Sequence, residues 1–420
     1  MPSKSLLASA AAFRSLKRAA EFGLKAENIG FDFSKVIDRK DWVVSQISGP
    51  GLRRYFESQG VQVLEGSARF SSLNEIDING QKVTFEKAVV ASGSAPFVPP
   101  IEGLDTVDYM TSNEAINLRE LPSSIIIIGG SSVGLEFATI YRSFGSEVTI
   151  VEALPRIAFK EDAEVSLALS KYLAEQGIAI YTNVRIKSVF SEDSTKSLVI
   201  DTADGEAKLS AGKLLVATGR HALTAGLGLE SIGIDVVKGG IDVNEYLQTS
   251  VPHIYAAGDV VPFFQLAQAA AYEGDLAGYN AFAKEKKALD LRVMPRATWS
   301  YPEVAGVGIT EEEAKESNLS YIVQKFPFAG LARALADGER KGFIKVIADA
   351  DSEEVLGCHI IGSHADEMIH QAAQAMQTRA RIGELAKTIH CELTMSEGFG
   401  DAFIDLDDAL NEYRAKRKTA

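Results

Sequence analysis

Residues 124–153, SIIIIGGSSVGLEFATIYRSFGSEVTIVEA, carry the clearest chemistry in the chain. Four isoleucines run into Gly129-Gly130, a helix-like segment covers 133–144, and a second apolar run, 148–151, ends at Glu152. The outline is strand, tight turn, helix, strand, acid. Glycines in such a turn let the backbone come close to a pyrophosphate. The helix N-terminus adds unpaired N–H groups and the positive end of its dipole. Gly129 and Gly134 hold the outer glycine positions, while Ser131 takes the middle one, where its Cβ limits how near a phosphate comes. Glu152 stands where an acid accepts hydrogen bonds from the adenosine ribose, which favours NAD over NADP. An ordinary βαβ turn that binds nothing also has glycines; here the whole context separates the two readings.

The elements that must position this turn can be read on either side of it. Residues 1–28 keep helical spacing through Leu6, Leu7, Ala10, Phe13, Leu16 and Ala20. Residues 60–94 alternate short strands and turns, with a hairpin at Asn79-Gly80. The run 88–103, AVVASGSAPFVPPIEG, ends a strand in small residues, which suits close approach of a ligand. Further on, 163–176 is an amphipathic helix, 178–181 a strand, and 184–204 a strand, turn and strand. LLVATGR, 214–220, echoes AVVASGS, so two related nucleotide-binding units are expected. A strand at 254–261 ends in Gly258-Asp259, and a helix at 265–283 follows. From 293 the strands and helices, including helices at 365–376 and 382–387, suggest an α+β domain.

Composition narrows the function. The 420 residues suit two or three domains, and 46% hydrophobic with 24% charged content is ordinary for a globular protein. A net charge of −14 argues against nucleic acid and anionic membrane as partners. No apolar run is long enough for a membrane span. Two cysteines, Cys358 and Cys391, give no disulfide framework and no cysteine-rich metal site, so no metal is expected and a reducing, cytoplasmic compartment is the default. A targeting peptide upstream of Met1 would not be visible here. Cys358 in an apolar strand reads as a small hydrophobe. His359, His364 and His370 read as structural, and the charged run 413–418 as a frayed, solvated terminus.

In this order the motifs resemble the flavin-dependent pyridine nucleotide–disulfide oxidoreductases, nearest to dihydrolipoamide dehydrogenase and mercuric reductase. The resemblance runs from residue 2 to about 406. It is carried by PSKSLL (2–7), EGSARF (65–70), VVASGSAPFVPPIEG (89–103), IGGSSVGLEFA (128–138), VEALPRI (151–157), VATGR (216–220), EYLQTSVPHIYAAGDVV (245–261), YPEVAGVG (301–308) and LTMSEGF (393–399). It implies an α/β fold with two Rossmann-like nucleotide-binding domains and a C-terminal α+β dimerisation domain. The FAD-binding domain would be 1–110 with 243–289, the NAD-binding domain 111–242 and the interface domain 290–420, which would make a homodimer.

The resemblance also implies roles, with FAD and NAD as cofactors and a small-molecule electron donor or acceptor. Asp259, after Gly258, would bond the FAD ribityl chain. Gln265, Leu266, Ala267 and Gln268 would contact the flavin edge. Gly66 and Ala68 would meet the adenine, Ser92 and Gly93 the flavin, and Gly219 would close the second small-residue run. Lys4 would lie beside the flavin, paired with Glu136. A cation there stabilises the reduced, anionic ring, and the acid holds the cation.

Two departures stand out. The family begins with an FAD-binding βαβ unit of about forty residues and a redox cysteine pair just upstream of Pro-Ser-Lys; this sequence starts with Met1 at that point. The FAD domain therefore reads as N-terminally truncated, the natural protein is expected to start upstream, and the chain alone is expected to bind NADH better than FAD. The family also places His-Pro before Thr-x-x-Glu, where this chain has Glu392-Leu393 before Thr394 and Glu397. Histidine, with a reference pKa of about 6.5, suits proton exchange with a thiol, whereas an ordinary carboxylate near ~4.3 does not. His390 is a nearby alternative base. The leading reading is an oxidoreductase passing hydride between NAD(H) and flavin. A cysteine-less flavoprotein reducing a quinone, a metal ion or another small acceptor, and a non-catalytic NAD-binding dimer, both remain open at this point.

Overall fold

The computed structural model describes residues 1–419, apart from the side chains of Pro50, Lys418 and Thr419. Ala420, the last residue of the expected interface domain, lies outside them, as does the Lys418 side chain at the end of the charged run. The chain divides into two compact units: Met1–Val43, Val98–Thr218 and Arg292–Ala420 form one, Val44–Phe97 and Gly219–Leu291 the other.

In the first unit the isoleucine run becomes the strand Ser124–Ile128, inside a four-stranded parallel sheet between Lys213–Val216 and Glu147–Val151, with Ile178–Tyr181 at the edge. A parallel strand covered on both faces needs apolar residues at every position. Ile125 and Ile127 enter one core with the helix Ser132–Phe144, while Ile126 and Ile128 enter another with Val151, Leu198 and Leu214. The helix Pro2–Lys17 lays Leu6, Leu7, Ala10 and Phe13 on that first core, and the Phe13 and Phe144 rings stack with centroids 5.6 Å apart.

The C-terminal part is a five-stranded antiparallel sheet in the order Arg296–Thr298, Val304–Gly308, Val355–Ile361, Phe343–Asp349, Tyr321–Pro327. The helices Ala365–Thr378 and Glu397–Thr419 supply Met368, Ile369, Phe399, Phe403 and Leu406 to its core. In the second unit the strands Ala88–Val90 and Ile254–Ala256 pair in parallel, and the hairpin Glu75–Ile78 to Gln81–Thr84 turns through Asn79 and Gly80, both at positive φ, as its sequence asks.

Several expectations are corrected. The first helix stops at Lys17 and a 3-10 turn, Ala19–Phe22, leads to Gly23 at φ 72, so the 1–28 reading is too long. The 214–220 strand ends at Val216, and Arg220–Ala222 starts a separate one after Gly219 at φ 107. The 254–261 strand ends at Ala256, because Gly258 turns left-handed at φ 78. Residues 413–417 are not frayed: they continue the helix Glu397–Thr419, Arg414 pairs with Glu353 at 2.5 Å and Arg417 with Asp351 at 2.6 Å. The helices Phe33–Ser48 and Pro50–Ser58 and the strand Gly205–Ala211 have no counterpart in the sequence reading.

One buried charge ties the nucleotide-binding sheet's flank to the C-terminal sheet within this unit. Lys345 is 1% exposed, and its ammonium reaches Asp162 at 3.0 Å, Glu311 at 2.7 Å and Glu164 at 3.3 Å. Asp162 also caps the helix Ala163–Glu175 by accepting the Glu164 N–H. Burial alone would push the Glu311 carboxyl up, but the hydrogen bonds from Lys315 and Lys345 outweigh it and hold it down to about 2. Replacing Lys345 with Met leaves the buried Asp162 carboxylate without its ammonium partner and is expected to cost about 3–5 kcal/mol, read as a lower urea midpoint. Glu311's share of the stability is complete above its ordinary value of 4.5 and is lost as pH falls toward 2. An acid-unfolding midpoint that Glu311→Gln leaves unmoved would contradict this.

Candidate dinucleotide and flavin sites

Steric limits define the glycine turn. Gly129 sits at φ 110, and a Cβ on it would come within 2.3 Å of the Ala217 carbonyl oxygen. A Cβ on Gly134 would meet the Gly129 carbonyl oxygen at 2.0 Å. The helix start is thus pressed against the turn, as phosphate-binding turns require. Ser131 is the N-cap residue, but its side chain makes no cap; its hydroxyl lies 3.5 Å from the Ala217 carbonyl oxygen. Glu152 folds back on the turn: one oxygen accepts the Gly130 N–H at 2.6 Å, the other the Leu154 N–H at 2.8 Å. A carboxylate has about four lone-pair sites, so both oxygens retain acceptor capacity for ribose hydroxyls. Gly129, Ser131, Gly134 and Glu152 therefore converge on one turn whose shape fits a dinucleotide.

The same helix carries Glu136, and Lys4 from the first helix donates to it at 2.7 Å. Glu136 is buried and Lys4 partly exposed. The Lys4 ammonium also lies 4.0 Å from the centre of the Trp299 ring, a cation–π contact. Trp299 is itself fixed by donating its indole N–H to Asp366 at 2.8 Å.

In the second unit, Asp259 follows Gly258 at the end of its strand and accepts the Ser94 hydroxyl at 2.6 Å. Arg220 donates to the Ser94 hydroxyl at 2.7 Å and stands 3.8 Å from Asp259. Ser92 donates to the Leu223 carbonyl, and Gly93 is left-handed at φ 76. Leu266 caps the helix Ala267–Phe282 without a side-chain bond; Gln265 precedes it and Gln268 lies in its first turn. Gly66 and Ala68 lie at the start of the strand Ala68–Ser72, where a Cβ on Gly66 would strike Ile78 at 2.6 Å. The left-handed turns and the fixed aspartate fit a polyol-bearing cofactor. Sequence reading passed over Ser94, Arg220 and Glu273. The first two follow the glycines of the paired small-residue runs, and Glu273 is an acid on a buried helical stripe with Ala269, Leu276 and Ala277.

The C-terminal loop is arranged differently. Glu392 is exposed. Glu397 accepts the Thr394 N–H at 3.2 Å as it opens the last helix. His390 lies 3.1 Å from the Thr388 carbonyl and 3.3 Å from the Gln371 side-chain oxygen. Both cysteines are free: Cys391 is exposed, while Cys358 is buried and burial pushes its thiol up. His359 is buried with one ring nitrogen 2.9 Å from the Ile309 carbonyl, in keeping with a structural role.

Gly134→Ala is expected to weaken NADH binding at least about tenfold by forcing the helix off the turn, a shift of about 1.4 kcal/mol. Parent protein is expected to bind NADH more tightly than NADPH, since the Glu152 carboxylate repels a 2′-phosphate. Glu152→Ser should narrow that ratio in a fluorescence titration; equal affinities in the parent would contradict the assignment.

No helix among the described residues is long and apolar enough to cross a membrane. The profile of the family described as pyridine nucleotide-disulphide oxidoreductase matches residues 1–274, and that of its dimerisation domain matches 294–403. The chain is 36% identical to dihydrolipoyl dehydrogenase of Bacillus subtilis over 422 residues, covering 97% of this chain and 89% of that one. It is 34% identical to a mercuric reductase of Staphylococcus aureus over 391 residues, covering 93% and 72%. Among solved structures, the HOCl-induced flavoprotein disulfide reductase RclA of Escherichia coli superposes with a TM-score of 0.85 at 28% identity, covering 96% of this chain and 88% of that one. LpdA of Mycobacterium tuberculosis gives 0.87 at 27% identity, covering 96% and 89%. With a mixed α/β nucleotide-binding part and a C-terminal dimerisation domain, this chain belongs to the pyridine nucleotide-disulphide oxidoreductases, flavoprotein enzymes that use FAD and NAD(H).

Proposed function

We propose that this protein oxidises NADH through FAD and passes the electrons to a small-molecule acceptor. It would work in the cytoplasm as a homodimer joined through residues 290–420, with 111–242 serving NAD and 1–110 with 243–289 serving FAD. The observation that carries this reading is the Lys4–Glu136 pair at 2.7 Å, set on the helix that opens at the glycine turn.

When bound, NAD(H) and FAD would supply the redox chemistry, hydride exchange and onward electron transfer. The chain's own groups do the rest. Gly129 and Gly134 admit the pyrophosphate to the helix start, and Glu152 takes the ribose. Lys4, held by Glu136, supplies the positive charge that favours the reduced flavin. Asp259, fixed by Ser94 and Arg220, receives the polyol.

The acceptor is read from the loop at 390–397. By their names, one relative acts on a dihydrolipoyl group and another on mercury. Thiol exchange needs a group that takes up and returns a proton near neutral pH. Glu392 is exposed at the family's histidine position, and His390 is engaged with Thr388 and Gln371. These features favour an acceptor that takes electrons without proton exchange at this loop.

The test is NADH oxidation by the FAD-loaded protein with ferricyanide as acceptor. Lys4→Met is expected to slow flavin reduction by about 10²-fold, the scale of a lost electrostatic stabiliser. Glu392→Gln should leave it within about twofold, since hydride transfer needs no base there. Flavin that is bound but not bleached by NADH would end the proposal. Light scattering should give twice the 45.2 kDa chain mass.

A further inference from the structure

We infer that Glu273 is a positioning residue for flavin binding: from behind the Gly258–Asp259 turn it holds the backbone in the form that receives the cofactor's polyol. The inference rests on the family's FAD chemistry and concerns a residue to which no role has yet been given.

Gly258 leaves its strand at φ 78, a conformation with no support from a regular ladder. Its N–H is accepted by one Glu273 carboxyl oxygen at 2.7 Å. Glu273 is 0% exposed, and its other oxygen has no hydrogen-bond partner among the described residues. An acid in that position is costly. Its neighbours on the buried stripe of the helix Ala267–Phe282 are Ala269, Leu276 and Ala277, so a methionine or leucine would be the inexpensive choice. The turn accounts for the acid. A Cβ on Gly258 would already be 3.2 Å from the Ala270 Cβ, so the helix is packed directly behind it.

The two residues of the turn are thus held from opposite sides. Ser94 and Arg220 fix the Asp259 carboxylate, and Glu273 fixes the Gly258 backbone. Burial, and then the charge of Asp259, push the Glu273 carboxyl up against the lowering effect of the Gly258 N–H. The Glu273 carboxyl accepts the Gly258 N–H with one oxygen, as an amide oxygen in its place would. Glutamine has the same shape and the same pattern, whereas methionine fills the space and leaves the N–H unpaired.

The experiment measures FAD affinity of the full chain by fluorescence quenching, with NADH affinity as the control. Glu273→Met should weaken FAD at least about tenfold, since a buried hydrogen-bonding group left unpaired costs about 1–3 kcal/mol, while NADH stays within about twofold. Glu273→Gln should bind FAD within about threefold of the parent. Hydrogen exchange of residues 254–261 in the cofactor-free protein should quicken in the methionine variant and not in the glutamine one. Parent-like FAD affinity in Glu273→Met overturns the inference, as does a glutamine variant as weak as the methionine one. Loss of NADH binding along with FAD also overturns it, because Glu273 would then be a packing residue of the whole fold. A parent that takes up no FAD overturns it too. Flavin that binds normally but is not reduced by NADH would defeat only the proposed function.

Discussion

Contact between the Gly134 backbone and the Gly129 carbonyl constrains the nucleotide-binding part of this protein. A methyl group at Gly134 would lie 2.0 Å from that oxygen, so the helix Ser132–Phe144 has almost no freedom to slide along its axis. Everything on that helix inherits the constraint. Glu136, two residues on, reaches Lys4; Ser143, near its end, accepts a hydrogen bond from Arg14 at 2.8 Å, and its carbonyl accepts from Lys17 at 3.1 Å. The first helix is therefore held at three points by the helix that opens at the dinucleotide turn. Placement of the glycine turn and placement of the Lys4 cation become one geometric fact.

A second constraint is electrostatic. Lys345 lies in the middle of an apolar sheet and is tolerable only because Asp162, Glu164 and Glu311 surround it. Burial would raise the Asp162 carboxyl, but it is held below its ordinary value by the positive neighbours His359 and Lys345 and by its hydrogen bonds. His359 is itself pushed down by burial, so at neutral pH the Lys345 ammonium is the neighbour that acts. A buried ion cluster of this kind adds little net stability, yet removing one member is strongly destabilising. It sets the cap of the helix Ala163–Glu175 against the strand Phe343–Asp349, and a slip of one residue would take the ammonium away from the buried Asp162 carboxylate.

This explains what was legible in the sequence. The βαβ unit was read to within a residue, because a strand covered on both faces must be apolar throughout and a glycine turn has few alternatives. The Lys4–Glu136 pairing came only through the family likeness, since nothing in local spacing joins residues 132 apart. The same distance hides Lys345, whose partner Asp162 is 183 residues away. Strands at 214–220 and 254–261 were drawn too long because hydrophobicity continues past the point where a left-handed glycine breaks the ladder. The helices Phe33–Ser48 and Pro50–Ser58 bury few of their apolar residues, with Trp42, Leu52 and Tyr55 exposed, so their sequence lacks a clean buried stripe.

The loop at 388–397 shows how separable the two halves of the chemistry are. The proposed hydride exchange between nicotinamide and flavin would call on the glycine turn, the Glu152 carboxylate and the Lys4 ammonium, all three placed by regular elements. Proton exchange with a thiol calls on a group whose ring nitrogen is free on one side and oriented on the other. His390 does not meet that description. Both of its nitrogens face oxygen atoms, the Thr388 carbonyl at 3.1 Å and the Gln371 side chain at 3.3 Å. Gln371 in turn donates to Ser396 at 2.8 Å, so the ring is held in a structural chain rather than presented to a substrate. Glu397 accepts the Thr394 N–H where the last helix begins. Glu397 is thus engaged with the backbone, and Glu392 in the same loop is an exposed carboxylate.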